Sequence, residues 1–185
     1  MSYYTVRGIV GRGFPVIFFT SIIGIFTGQI LNLRLENLVA MPIILLLIPA
    51  LIKIGGDTGS MLGARLSSAL HMGLGGNLRH NPVVRNSVLA AFIIGECAFA
   101  FLAVIVWMTG SILGIGMGLA TLMKLCLIAG TFELIMVYTS TLTIAFVSHR
   151  FGADPDDTVI PLIATLGDLI GVTGIFITIH LLGII

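Results

Sequence analysis

Residues 158–185 read TVIPLIATLGDLIGVTGIFITIHLLGII, an apolar run with one acidic residue, Asp168, inside it. A helix needs about 20 predominantly apolar residues to cross the hydrocarbon core of a bilayer. The apolar positions run continuously instead of alternating, which selects a helix over a barrel strand. Asp168 falls roughly ten residues in, about 15 Å at 1.5 Å per residue, near the midplane of such a span. A carboxylate at that depth costs a few kcal/mol and points to a role that repays it, whether binding a cation, relaying a proton or pairing with a buried base. Asp57, Glu96 and Glu133 are expected at similar depth, so the chain reads as a cation pathway.

The rest of the chain agrees with a membrane setting. Its residues are 57% hydrophobic and 9% charged, where ordinary globular chains carry roughly 25% charged residues. The mean hydropathy is +1.15. The fold class expected is an all-α membrane protein, a five-helix transmembrane bundle with spans at 14–33, 42–72, 86–109, 113–148 and 158–185. The second and fourth are longer than a bilayer requires and must tilt, bend or project. No linker divides residues 1–185, which read as a single membrane domain. The first run is longer than a signal-peptide core and lacks a small-x-small cleavage site after it, so it reads as a retained helix. With the amino terminus inside, Arg7, Arg12, Arg79, Arg85 and Arg150 are cytoplasmic and Arg34 lies outside, which the positive-inside rule favours; the carboxyl terminus is then outside. The near-neutral net charge of +1 gives no sign of a nucleic-acid partner.

On the last span, Pro161, Ala164, Thr165, Asp168, Gly171 and Val172 share a small, polar face suited to lining a path. The alternative is a helix contact in which Asp168 bonds a neighbouring donor. The second span carries a comparable stripe of Ala50, Lys53, Asp57, Ser60, Ala64, Ser68 and His71. Lys53 and Asp57, four apart, either neutralise each other or line the path. The sequence Gly55-Gly56-Asp57-Thr58-Gly59 is expected to bend or unwind, because each glycine costs about 1 kcal/mol relative to alanine in a helix. Small residues four apart let backbones approach in lipid, and Gly56 and Gly171, close to the carboxylates, also leave room for an ion. Glu96 and Lys124 fall at similar depth and are expected to form a buried ion pair; a coupling or proton-relay role for Glu96 or Glu133 is the alternative.

Cys97 and Cys126 read as small buried hydrophobes. His71, His80, His149 and His180 are scattered near span ends, and no Ser-His-Asp or Cys-His arrangement can be assembled, so no enzymatic chemistry is expected. A lone carboxylate among hydroxyls and carbonyls favours a hard divalent cation, Mg²⁺, Ca²⁺ or Mn²⁺. Mg²⁺ is usually held through one or two carboxylates with waters retained. One Asp168 per chain therefore makes better sense in a homodimer, where two copies supply two carboxylates on a common axis.

Two blocks carry a family resemblance. Pro49-Ala50-Leu51 leads into Gly55-Gly56-Asp57-Thr58-Gly59-Ser60-Met61 and then Ala64-Arg65-Leu66-Ser67-Ser68-Ala69. Asp154-Pro155-Asp156-Asp157 leads through Ile160-Pro161 to Ala164-Thr165-Leu166-Gly167-Asp168-Leu169-Ile170. These resemble the second and fifth helices of the MgtE magnesium transporter membrane domain, and more closely its eukaryotic solute-carrier relatives. The resemblance implies a dimeric Mg²⁺ or divalent-cation channel or carrier in the cell membrane. In it Asp168 and its symmetry mate hold a largely hydrated ion, and Ala164 adds a backbone carbonyl. The Gly-Gly-Asn-x-Gly-Asn-Gln block of bacterial members is altered, with Asp57, Ser60 and Met61 in place of its two Asn and its Gln. Bacterial members also carry a large cytoplasmic sensor region, so gating of that kind is expected to need a separate cytoplasmic regulatory protein.

The expected function is thus movement of Mg²⁺ down its electrochemical gradient. Asp168, Ala164 and Asp57 are its metal-binding residues, and Thr165, Gly171, Pro161, Ser60 and Gly56 line the path. Its rivals are a carrier exchanging Na⁺ or H⁺ for the divalent ion and a non-conducting subunit that anchors a partner.

Overall fold

Thr5 opens the first helix by accepting the Gly8 N–H on its hydroxyl at 3.2 Å, an N-cap that satisfies one of the unpaired donors of the first turn. In the computed structural model, residues 5–73, 81–151 and 155–184 are described, apart from the side chains of 155–157. Over these the chain forms six helices: α1 (Val6–Leu33), α2 (Leu35–Ala40), α3 (Pro42–His71), α4 (Pro82–Leu113), α5 (Leu119–Arg150) and α6 (Pro155–Leu181). Five of them, all but α2, contain stretches long and apolar enough to cross a membrane. Arg79, His80 and Asp154 lie outside the described residues, as do the side chains of Asp156 and Asp157.

The second expected span coincides with α3 to within a residue, and Pro42 at its first turn suits the position where an N–H would be unpaired. The first span begins earlier than hydropathy suggested, at Val6. The segment expected to be a loop before α3 folds into the short helix α2, whose Leu38 is buried in the core. The largest difference lies between the third and fourth spans. The helix continues past Gly110 to Leu113, the turn occupies 114–118, and α5 begins only at Leu119. Gly114 ends α4 in the left-handed region at φ 70°, its N–H bonded to the Gly110 carbonyl, a helix stop for which glycine is suited. Apolar Ile115 and Met117 inside that turn conceal it from a reading by hydropathy.

The core is shared by α3, α4, α5 and α6. Ile44, Leu47, Leu51, Phe99, Leu125, Leu134, Ile163 and Ile175 are fully buried within it. Helix α1 packs chiefly on α6, with only Thr20 and Thr27 buried, while Phe14, Phe18, Phe19, Ile25 and Phe26 stay exposed. Such a face suits lipid.

The most extensive contact joins α3 to α6. At its centre no side chain intervenes: a Cβ on Gly167 would lie 2.7 Å from the Gly56 Cα, and one on Gly56 would lie 3.3 Å from the Ala164 carbonyl oxygen. The glycine-rich stretch does not unwind, contrary to what its composition suggests. Helix α3 is continuous from Pro42 to His71, because the propensity cost of each glycine is offset by the contact it permits.

Gly167→Ala should therefore push the two backbones apart and lower stability by about 1–3 kcal/mol, the usual penalty of overpacking. Gly24→Ala, inside α1 where an added Cβ meets nothing within 4 Å, should leave stability unchanged or raise it by up to about 1 kcal/mol. Thermal unfolding of the purified protein in detergent measures both, and equal stabilities would rule out the close crossing.

Candidate cation site

The residue after each crossing glycine is an aspartate: Asp57 follows Gly56, and Asp168 follows Gly167. The backbone contact thus brings together two carboxyl groups, each midway along its helix. Asp57 is exposed, Asp168 is half-buried, and the two are close enough to act on one another electrostatically. Lys53, one turn before Asp57, forms an ion pair with it at 2.7 Å and also acts on Asp168. Of the two sequence readings of Lys53, the neutralising pair is the one formed. Its side chains are 67% and 56% exposed, which in a membrane-length helix means that a charged pair leaves the protein surface near mid-span.

Other polar groups continue the same face. Ser60 is partly buried and donates a long, 3.5 Å hydrogen bond to the Ile160 carbonyl, tying α3 to α6. Ala64 is partly buried and Ser68 is exposed further along α3. On α6, Pro161, Ala164 and Thr165 are partly buried beside Asp168. The Thr165 hydroxyl donates to the Pro161 carbonyl at 3.0 Å, so its proton is engaged while its oxygen keeps acceptor capacity. Gly56 and Gly171 do not line this face. Both are buried in helix contacts, Gly56 against Ala164 and Gly171 against Ile52 and Glu133. Glycine here provides the close approach rather than open space.

The ion pair expected between Glu96 and Lys124 is not formed. Lys124 is exposed in the second turn of α5, shallower than a helix beginning near residue 113 would have placed it. Glu96 instead accepts a 2.7 Å hydrogen bond from the Thr131 hydroxyl. Tyr138 donates to the Ala91 carbonyl at 2.8 Å, a second polar link between α4 and α5. Neither link is foreseeable from the sequence, where Thr131 and Tyr138 look like ordinary helix residues. Glu133 is carried to the opposite side of the α3–α6 crossing from Asp57, where it is fully buried. Cys126 is buried as expected, whereas Cys97 is exposed.

Among the described residues, no three His, Cys, Asp or Glu side chains gather as a metal cluster. What one chain offers is a carboxyl pair, Asp57 and Asp168, flanked by hydroxyls and helix carbonyls. These are hard oxygen donors suited to a hydrated divalent cation and insufficient to strip it of water.

Comparison with known proteins places this geometry in context. The family model for MgtE, described as a divalent cation transporter, matches residues 48–178, from the first turns of α3 to the last turns of α6. No curated protein and no solved structure matches the chain.

If the polar face of α3 meets water, Ser60→Cys and Ser68→Cys, made in a chain with Cys97 replaced by serine, should react with a charged, membrane-impermeant thiol reagent added to both sides of proteoliposomes. Leu45→Cys and Ile105→Cys, at exposed apolar positions, should not. Uniform protection of all four would mean that the α3 face is dry.

Proposed function

This chain belongs to the MgtE family of divalent cation transporters, and we propose that it carries Mg²⁺ across the cell membrane through a path shared by two copies of itself. One observation carries this reading. The Lys53–Asp57 pair stands more than half exposed midway along a membrane-length helix, beside half-buried Asp168. Charged side chains at membrane depth face a bundle interior or a water-filled cavity, not lipid. In a single chain this face looks outward; two copies meeting about a twofold axis enclose it.

In that assembly the Asp168 carboxylates of both protomers point at one axis and hold a hydrated Mg²⁺ through its water shell, with the Ala164 carbonyl as a further acceptor. Asp57 stands at the approach to that point. Lys53, paired with Asp57, must yield for Asp57 to serve a cation. With the amino terminus cytoplasmic, Arg7, Arg12, Arg85 and Arg150 all lie inside, and α6 ends outside. The inside-negative potential then draws Mg²⁺ inward with about 2.3 kcal/mol per charge per 100 mV, roughly doubled for a dication.

Mg²⁺ flux into proteoliposomes at an imposed potential tests the reading. Asp168→Asn, at matched dimer content, should lower flux about tenfold or more, the equivalent of 1.4 kcal/mol or more of lost ion stabilisation. Lys53→Gln should raise the apparent affinity for Mg²⁺ severalfold by releasing Asp57. Equal flux in native and Asp168→Asn protein would remove Asp168 from the path. Absence of flux in the native chain under any ion gradient would turn the reading toward an anchoring subunit.

A further inference from the structure

Glu133 takes no part in the site described above, yet it is the least comfortable group in the protein. It lies midway along α5, its side chain is fully buried, and neither carboxyl oxygen has a hydrogen-bond partner. Two missing side chains make room for it. A Cβ on Gly55 would overlap the carboxyl group, and one on Gly171 would come within 2.9 Å of Oε1. Ile52 closes the same corner, its Cγ2 2.8 Å from that Gly171 Cβ position. None of these neighbours is a candidate cation ligand. An ionised carboxylate enclosed by glycine backbone and an isoleucine methyl, with no donor and no counter-ion, would cost many kcal/mol. The species that fits the cradle is the uncharged acid.

The charged and titratable groups around it offer no relief. From α6, Asp168 is near enough to repel an anionic Glu133. From α5 itself, Tyr138 is near, with its hydroxyl committed to the Ala91 carbonyl. From α4, Glu96 reaches Tyr138 and is bonded to Thr131. From α3 come Lys53 and Asp57, paired with each other and acting on Asp168. What would stabilise a Glu133 anion is positive charge at Asp168, and a divalent cation held there supplies it.

We propose that Glu133 is a proton-binding site coupled to cation occupancy at Asp168. With no ion bound, Glu133 keeps its proton. When the ion arrives, the Glu133 O–H bond breaks, the proton passes to water and the carboxylate remains, balanced by the new positive charge. The proposal rests on Asp168 being the cation ligand. Its consequence is a transporter on which a proton gradient can act, since a cation gained at the shared Asp168 site is matched by proton loss from the Glu133 of the protomers that hold it.

The test uses the full chain in detergent, titrated with Mg²⁺ in weakly buffered solution while pH is recorded, with infrared difference spectra taken alongside. The native protein should release up to two protons per bound ion, one from the Glu133 of each protomer, and its affinity for Mg²⁺ should rise about tenfold per pH unit for each proton exchanged. A protonated-carboxyl band should disappear on adding Mg²⁺. Glu133→Gln, the neutral isostere of the acid, should bind Mg²⁺ with neither proton release nor that band. Native binding without proton release, or release undiminished in Glu133→Gln, overturns the proposal, and the first of these results needs no variant. Lack of a Glu133 acid band in the ion-free native protein overturns it whether or not Mg²⁺ binds. Failure of Mg²⁺ to bind the native chain at all overturns the reading of Asp168, and the coupling with it.

Discussion

Backbone meets backbone where α3 crosses α6, at Gly56 and Gly167, and the rest of the arrangement follows from that contact. Lipid provides no hydrophobic drive between helices, so association depends on close van der Waals fit, and only glycine allows two backbones this near. The crossing has two sides. On the outward side the next residue of each helix is an aspartate, which sets Asp57 beside Asp168 and brings Lys53 within reach of both. On the inward side Gly55 and Gly171 leave the hollow that Glu133 fills from α5. One contact thus positions three carboxyl groups in different surroundings: one exposed and ion-paired, one half-buried, one enclosed.

Those surroundings separate chemical roles that the sequence could only group together as acids at similar depth. Asp57 has a partner in Lys53 and is neutralised locally. Asp168 is half-buried, beside the hydroxyl and carbonyl oxygens of its own helix. Glu133 is fully buried. Glu96, the remaining acid of the set, is satisfied by Thr131 and links α4 to α5. Polar groups in a membrane bundle are costly wherever they sit. What distinguishes them is which of them the protein itself satisfies.

Much of this is legible in the sequence. The run at 158–185 and the lone Asp168 yield the membrane class, the last helix and the central candidate ligand, because a charge inside a long apolar segment stands out against any background. Helix α3 agrees with its expected span to within a residue, from Pro42 at its first turn to His71 at its last. The turn at 114–118 is not legible, since its residues are as apolar as the helices around it, and missing it carries Lys124 too deep. The glycines at 55–59 are misjudged because helix propensity is a local quantity, while their use depends on distant residues: Glu133 for Gly55, Ala164 and Gly167 for Gly56, Val137 and Ile163 for Gly59. The enclosure of Glu133 is invisible for the same reason: its walls come from other helices.

The bare crossing also governs which motions are open to the molecule. Shear between packed helices needs side chains that can slip past one another. If α3 slides along α6 by one position, Gly55 or Asp57 takes the place of Gly56, and in the second case a side chain strikes the facing backbone. The fit resists a shift in that direction, and α1 packs chiefly on the same helix, α6. Deformable side chains fill other seams, such as the one where Phe99 and Leu134 lie between α4 and α5. The face that carries Asp57 and Asp168 lies at the tight crossing and away from those seams.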